Sequence, residues 1–143
     1  MIAFLACAPP PPIDTGSTDP SVELVWPEPE STVVNCATFV GEFDNFTLRE
    51  PAAEGGQTPG VGHWHVEYAG TYELCSRTYC PVLFNPEYTS AGTLSTKAVL
   101  VYDDHSPVYD ADENPVSYTL NLVLQMDESG CAEGGVDTAS MYG

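Results

Sequence analysis

"VSYTLNLVLQM", Val116 to Met126, alternates along its length. Val116, Tyr118, Leu120, Leu122, Leu124 and Met126 share one parity, while Ser117, Thr119, Asn121 and Gln125 share the other; Val123 is the exception. Successive side chains of a strand point to opposite faces, so this period of two marks a half-buried β-strand, with one face on a core and one in water. Working outward, "VELVWP", "STVVNCATFVGEF", "HWHVEYAGTYEL" and "TLSTKAVLVY" are also short runs rich in Val, Thr, Tyr, Phe and Leu, with Pro and Gly at their edges. No helical period competes with them. Roughly five to eight such strands in about 110 residues predict an all-β fold, a two-sheet antiparallel β-sandwich of immunoglobulin-like kind. A small closed barrel is the alternative, because alternation alone does not say whether the sheet closes.

The chain of 143 residues is long enough for one domain with its own core. A hydrophobic fraction of 43%, with eight Tyr, five Phe and two Trp, is too rich for a disordered acidic chain. Trp26 and Trp64 are expected to fill the core. Three Lys plus Arg stand against 21 Asp plus Glu, a net charge of −18. Such a surface repels polyanions, which excludes nucleic acid as a partner and basic attachment to anionic lipid. No run of about twenty apolar residues occurs, so no membrane-spanning helix is expected.

The amino terminus, "MIAFLACAPPPPIDTGSTDPS", has a different character. Its small and apolar start before Cys7 resembles the end of a bacterial lipoprotein signal, in which a Leu-Ala-Cys type box is cut before a cysteine that takes lipid. The resemblance implies four segments. Residues 1–6 are the remnant of a signal peptide. Residues 7–21 are the lipid-anchor Cys7 and a disordered Pro/Thr/Gly/Ser-rich linker, residues 22–131 the sandwich, and residues 132–143 a flexible tail. It also implies export to the bacterial cell envelope, outer membrane, periplasm or cell surface, with the membrane contacted only through the amino-terminal lipid. With Cys7 as anchor, four of the five cysteines remain, an even set that reads as two disulfides in an exported acidic protein. "CSRTYC" is able to close a short turn, which favours Cys75 with Cys80 and leaves Cys36 with Cys131. A four-cysteine zinc site is the rival, weakened by the lack of a Cys-x-x-Cys pair.

The three histidines of the chain fall in "GHWH" and "DDHSP". On a strand, His63, His65 and Glu67 line one face, and Trp64, Val66 and Tyr68 line the core face. Two imidazoles leaving the same face are roughly 6.5–7 Å apart at Cβ, close enough to converge on one ion. His105 ends the run "KAVLVYDDH" just before Pro107; on a neighbouring strand it would close a three-histidine site. Asp103, Asp104 or Glu67 would then be a fourth ligand, or accept a hydrogen bond from an imidazole. Imidazoles with a carboxylate suit one zinc or copper ion. The plainer reading is a hydrogen-bonded histidine cluster, with His105 capping a turn.

These motifs, with "VVNCATFVGEFDNFTL" and the last strand, look like a group of immunoglobulin-like domains of exported bacterial proteins. In that group a Gly-His-x-His strand is followed some forty residues on by an Asp-His-x-Pro turn. The resemblance covers most of residues 22–126 and implies the fold but no settled activity. The segment "CSRTYCPVLFNPEYTS" departs from the group as an insertion.

Weaker signals add little. Asp110, Asp112 and Asn114 have the one-three-five spacing of a calcium loop, yet Pro115 stands where the turn needs Gly, so a solvated acidic loop is expected. "NFT" at Asn45 fits a glycosylation acceptor, which is uninformative for a bacterial lipoprotein. No Gly-x-Ser-x-Gly elbow or phosphate-cradling glycine loop occurs. The functional expectation is a non-enzymatic binding or surface module with a three-histidine metal site and an unspecified protein or small-molecule partner. The alternatives are a metal-dependent hydrolytic or redox enzyme using that site, and a structural or adhesive subunit of a surface assembly.

Overall fold

The computed structural model describes residues 19–52, 55–128 and 131. The expected signal remnant 1–6, Cys7 as the expected lipid anchor, residues 8–18 of the expected linker and residues 132–143 lie outside them.

Nine strands and no helix are found among the described residues. They are β1 (Ser21–Trp26), β2 (Thr32–Val34), β3 (Cys36–Asp44), β4 (Thr47–Leu48), β5 (Val61–Tyr68), β6 (Thr71–Cys75), β7 (Tyr79–Leu83), β8 (Gly92–Val101) and β9 (Ser117–Gln125). A small sheet has the order β1-β3-β7. A six-stranded sheet runs β2-β9-β8-β5-β4, with β6 also on β5. The two sheets enclose one core, as expected for a β-sandwich.

The alternation in β9 decides its burial: Leu120, Leu122 and Leu124 are at most 2% exposed, while Val123 is 36% exposed. Leu94, Ala98 and Leu100 of β8 and Trp64, Val66 and Tyr68 of β5 face the same core. Val22, Leu24, Phe39 and Val82 meet them from the small sheet. Two short pairings are parallel, β2 with β9 and β4 with β5. Both occur where the chain changes sheets, from β1 to β2 and from β3 to β4, so the new strand does not return by a hairpin.

Trp26 corrects one expectation, because it is 45% exposed rather than in the core. Leu24 pairs with Gly41 and Trp26 with the adjacent Val40, so a register irregularity interrupts the alternation that would have turned Trp26 inward beside Leu24.

β5 and β8 pair without such a break, His63 opposite Val101 and His65 opposite Val99. Their close approach depends on Gly62, where a Cβ would run into the Val101 carbonyl oxygen and lie 2.9 Å from the Phe46 ring. On the other edge β5 turns into β6 through Ala69 and Gly70, at φ +50° and +80°, which is the two-residue hairpin turn that matches strand twist.

Candidate metal centre

With Trp64, Val66 and Tyr68 committed to the core, His63 and His65 must leave the outer face of the large sheet. Outer faces are normally wet, yet His63 is 0% and His65 4% exposed. Two features cover them. The Tyr72 ring stacks on His65, with centroids 4.1 Å apart and planes 18° apart. The turn after β8 brings the His105 ring to within 4.8 Å of His63 and 5.3 Å of His65, centroid to centroid. Val99 and Val101, opposite the two histidines in register and so on the same face of the sheet, are buried outside the core cluster.

The turn is tightly tied. The His105 N–H donates to the Tyr102 carbonyl at 2.8 Å, and the Tyr102 N–H to the Ser106 carbonyl at 2.9 Å. Asp104 Oδ1 accepts from both the backbone N–H and the hydroxyl of Ser106, whose oxygen also accepts from Gln57 Nε2 at 2.7 Å. His105 itself sits at φ +70°, left-handed backbone that glycine adopts more readily. Asp103 is pinned by Arg49, whose Nη2 donates to Oδ2 at 2.6 Å. Arg49 is placed by its own backbone N–H, which donates to the Gly62 carbonyl at 2.8 Å.

The three rings converge on one point. His63 Nε2 lies 3.1 Å from His65 Nε2 and 3.3 Å from His105 Nδ1, which is itself 3.3 Å from His65 Nε2. Hydrogen bonding alone does not satisfy this triangle. Each nitrogen carries either a proton or a lone pair, so of three nitrogens at least two are alike, and one contact sets donor against donor or acceptor against acceptor. A cation removes the conflict by taking all three lone pairs. An ion bonded at roughly 2.0–2.1 Å to each nitrogen would sit just above the triangle, with N–metal–N angles of roughly 100–110°, close to tetrahedral.

The electrostatics favour ligation. His63 and His65 are each lowered from 6.5 to about 4, first by burial and then by the neighbouring imidazoles; Asp103 and Glu50 partly oppose this at His63. Both rings are therefore neutral at pH 7, the state a metal requires. Arg49 holds the Asp103 carboxyl below its usual range, and the Ser106 bonds do so for Asp104.

Of the residues singled out from sequence, His63, His65 and His105 come together, and among the described residues they are the metal-competent group. Glu67, Asp103 and Asp104 stay outside that group. Asp104 bonds its own turn, and Asp103 bonds Arg49. Asp110 Oδ1 accepts from the backbone of Asp112 and Asn114, a self-capped loop. Cys75–Cys80 and Cys36–Cys131 are disulfides, with Cα atoms 5.4 and 5.6 Å apart. Tyr72 and Arg49 were not foreseen. Tyr72 was within reach, because a two-residue turn at Ala69-Gly70 sets Glu67 opposite Tyr72 and so puts Tyr72 on the face of His65.

Fold and site together define an all-β sandwich with a three-histidine cluster that could hold a metal ion. Compared with protein-family models, curated proteins and solved structures, the chain has no match.

Proposed function

We propose that the protein is a non-enzymatic metal-binding module of the bacterial cell envelope, lipid-anchored through Cys7, that carries one zinc or copper ion on His63, His65 and His105. The observation that carries this reading is the triangle of ring nitrogens with 3.1–3.3 Å sides. Near-tetrahedral angles favour zinc, or reduced copper, over square-planar Cu²⁺. A net charge of −18 draws cations toward the surface, and two disulfides are compatible with an oxidising compartment outside the cytoplasm.

Elemental analysis of protein purified without an affinity tag tests the site. About one equivalent of metal is expected in the wild type and almost none in His63→Ala. Equal content in the two proteins would refute it. Mass spectrometry of the native protein should find acyl groups on Cys7; an unmodified Cys7 would refute the anchor.

A second reading has one observation in its favour: three protein donors leave a fourth tetrahedral position for water, as catalytic zinc sites do. Five surface cavities found among the described residues are lined by residues other than the three histidines, which favours the binding module. Zinc-loaded protein should hydrolyse p-nitrophenyl acetate no faster than His63→Ala; a zinc-dependent excess would favour the enzyme.

A further inference from the structure

An imidazole that gives its Nε2 lone pair to a metal must carry its proton on Nδ1, and a buried N–H needs an acceptor. His63 Nδ1 is buried with no hydrogen-bond partner among the described residues. So is Asp103 Oδ1, and among the described residues Thr38 Oγ1 is the one other buried side-chain atom in that state. The two orphans at the site are complementary, one a potential donor and one a carboxylate acceptor. Asp103 stands two residues from His105, whose ring contacts His63, and its charge acts on His63.

The surroundings hold this carboxylate in place. Its side chain is 3% exposed, and Oδ2 is taken by Arg49. A Cβ on Gly55 would strike the Asp103 Cβ, so the residue is boxed from that side. One of only three Lys and Arg side chains in the chain is committed to keeping a buried negative charge here.

Resting on the three-histidine metal reading, we propose that Asp103 is a positioning residue whose Oδ1 accepts the Nδ1–H of His63. It thereby fixes the tautomer and ring plane that aim Nε2 at the ion, while Arg49 fixes Asp103. Both orphaned atoms are then satisfied, and a negative charge behind the imidazole raises its basicity as a ligand.

The experiment compares zinc affinity, by chelator competition, in full-length wild type, Asp103→Asn, Asp103→Ala and Arg49→Gln. Imidazole nitrogen NMR of the zinc-loaded wild type and of each variant is the second readout. In Asp103→Asn the amide oxygen will stay with Arg49 and the NH₂ will turn toward His63, favouring the tautomer that blocks Nε2. Affinity should fall about 10–100-fold in both Asp103 variants, and only a few-fold in Arg49→Gln, where the acceptor remains. His63 of the wild type should carry its proton on Nδ1. If Asp103→Ala does not fold, the near-isosteric Asn variant and the wild-type spectrum still decide. Wild-type zinc affinity in Asp103→Asn, or a wild-type His63 protonated on Nε2, would overturn the proposal. Absence of both zinc and reduced-copper binding by the wild type would instead overturn the metal reading beneath it, and titration with each ion reveals it as a missing saturation.

Discussion

His105 holds its backbone at φ +70°, a conformation that costs a non-glycine residue roughly 1–2 kcal/mol. The turn would close more easily with Gly, so the side chain is retained against the local backbone preference, and the ring's place in the nitrogen triangle accounts for it. His105→Gly should therefore lose zinc binding by more than the 10–100-fold expected for an outer partner, while the metal-free protein melts no lower than wild type. Calorimetry and a zinc titration on the same samples check both halves. His63 and His65 add a pH dependence whose sign is fixed. Their folded-state values, about 4, lie below the unfolded 6.5, so between those pH values the unfolded chain binds more protons than the folded one. The stability they confer is present above about pH 6.5 and drains away as pH falls toward 4. Thermal melts in EDTA should show Tm decreasing across that window, and His63→Ala should flatten part of the decrease.

At the scale of elements, β5 does two jobs with one period: its odd and even residues separately build the site and the core. Gly62 sets how near β5 lies to β8, and thus how His63 stands against Val101. Gly62→Ala should destabilise the fold by about 1–3 kcal/mol, because backbone rather than a flexible side chain is in the way; urea denaturation measures it. Much of this was legible in the sequence. Alternation in Val116–Met126 gave the burial of β9, and His-x-His against Trp-x-Val gave the two faces of β5, because side-chain parity in a strand is local. Trp26 was misread because a single irregularity in register reverses parity, and nothing in "VELVWP" marks it. The burial of His63 and His65 was not legible either. It arises from a turn forty residues downstream and from Tyr72 on the next strand, and such long-range coverage leaves no local pattern. The same holds for Arg49 with Asp103, 54 residues apart.

Across the whole molecule, two disulfides close loops of very different length. Cys36–Cys131 spans 95 residues and Cys75–Cys80 spans five. Chain entropy makes the long one worth about 4–5 kcal/mol against about 2 kcal/mol for the short one. Cys36→Ser with Cys131→Ser should therefore lower Tm more than Cys75→Ser with Cys80→Ser, which calorimetry of the two double variants will read. A metal on the three histidines would tie together other parts of the molecule, joining the middle of the large sheet to the turn that follows β8. X-ray absorption at the zinc edge, on tag-free protein loaded with a single equivalent, is the most direct test of that tie. The account predicts three imidazole nitrogens at roughly 2.0–2.1 Å and one further light atom, lost in His105→Gly. A sulfur shell near 2.3 Å, or a six-oxygen shell unchanged by removing the histidines, would contradict it.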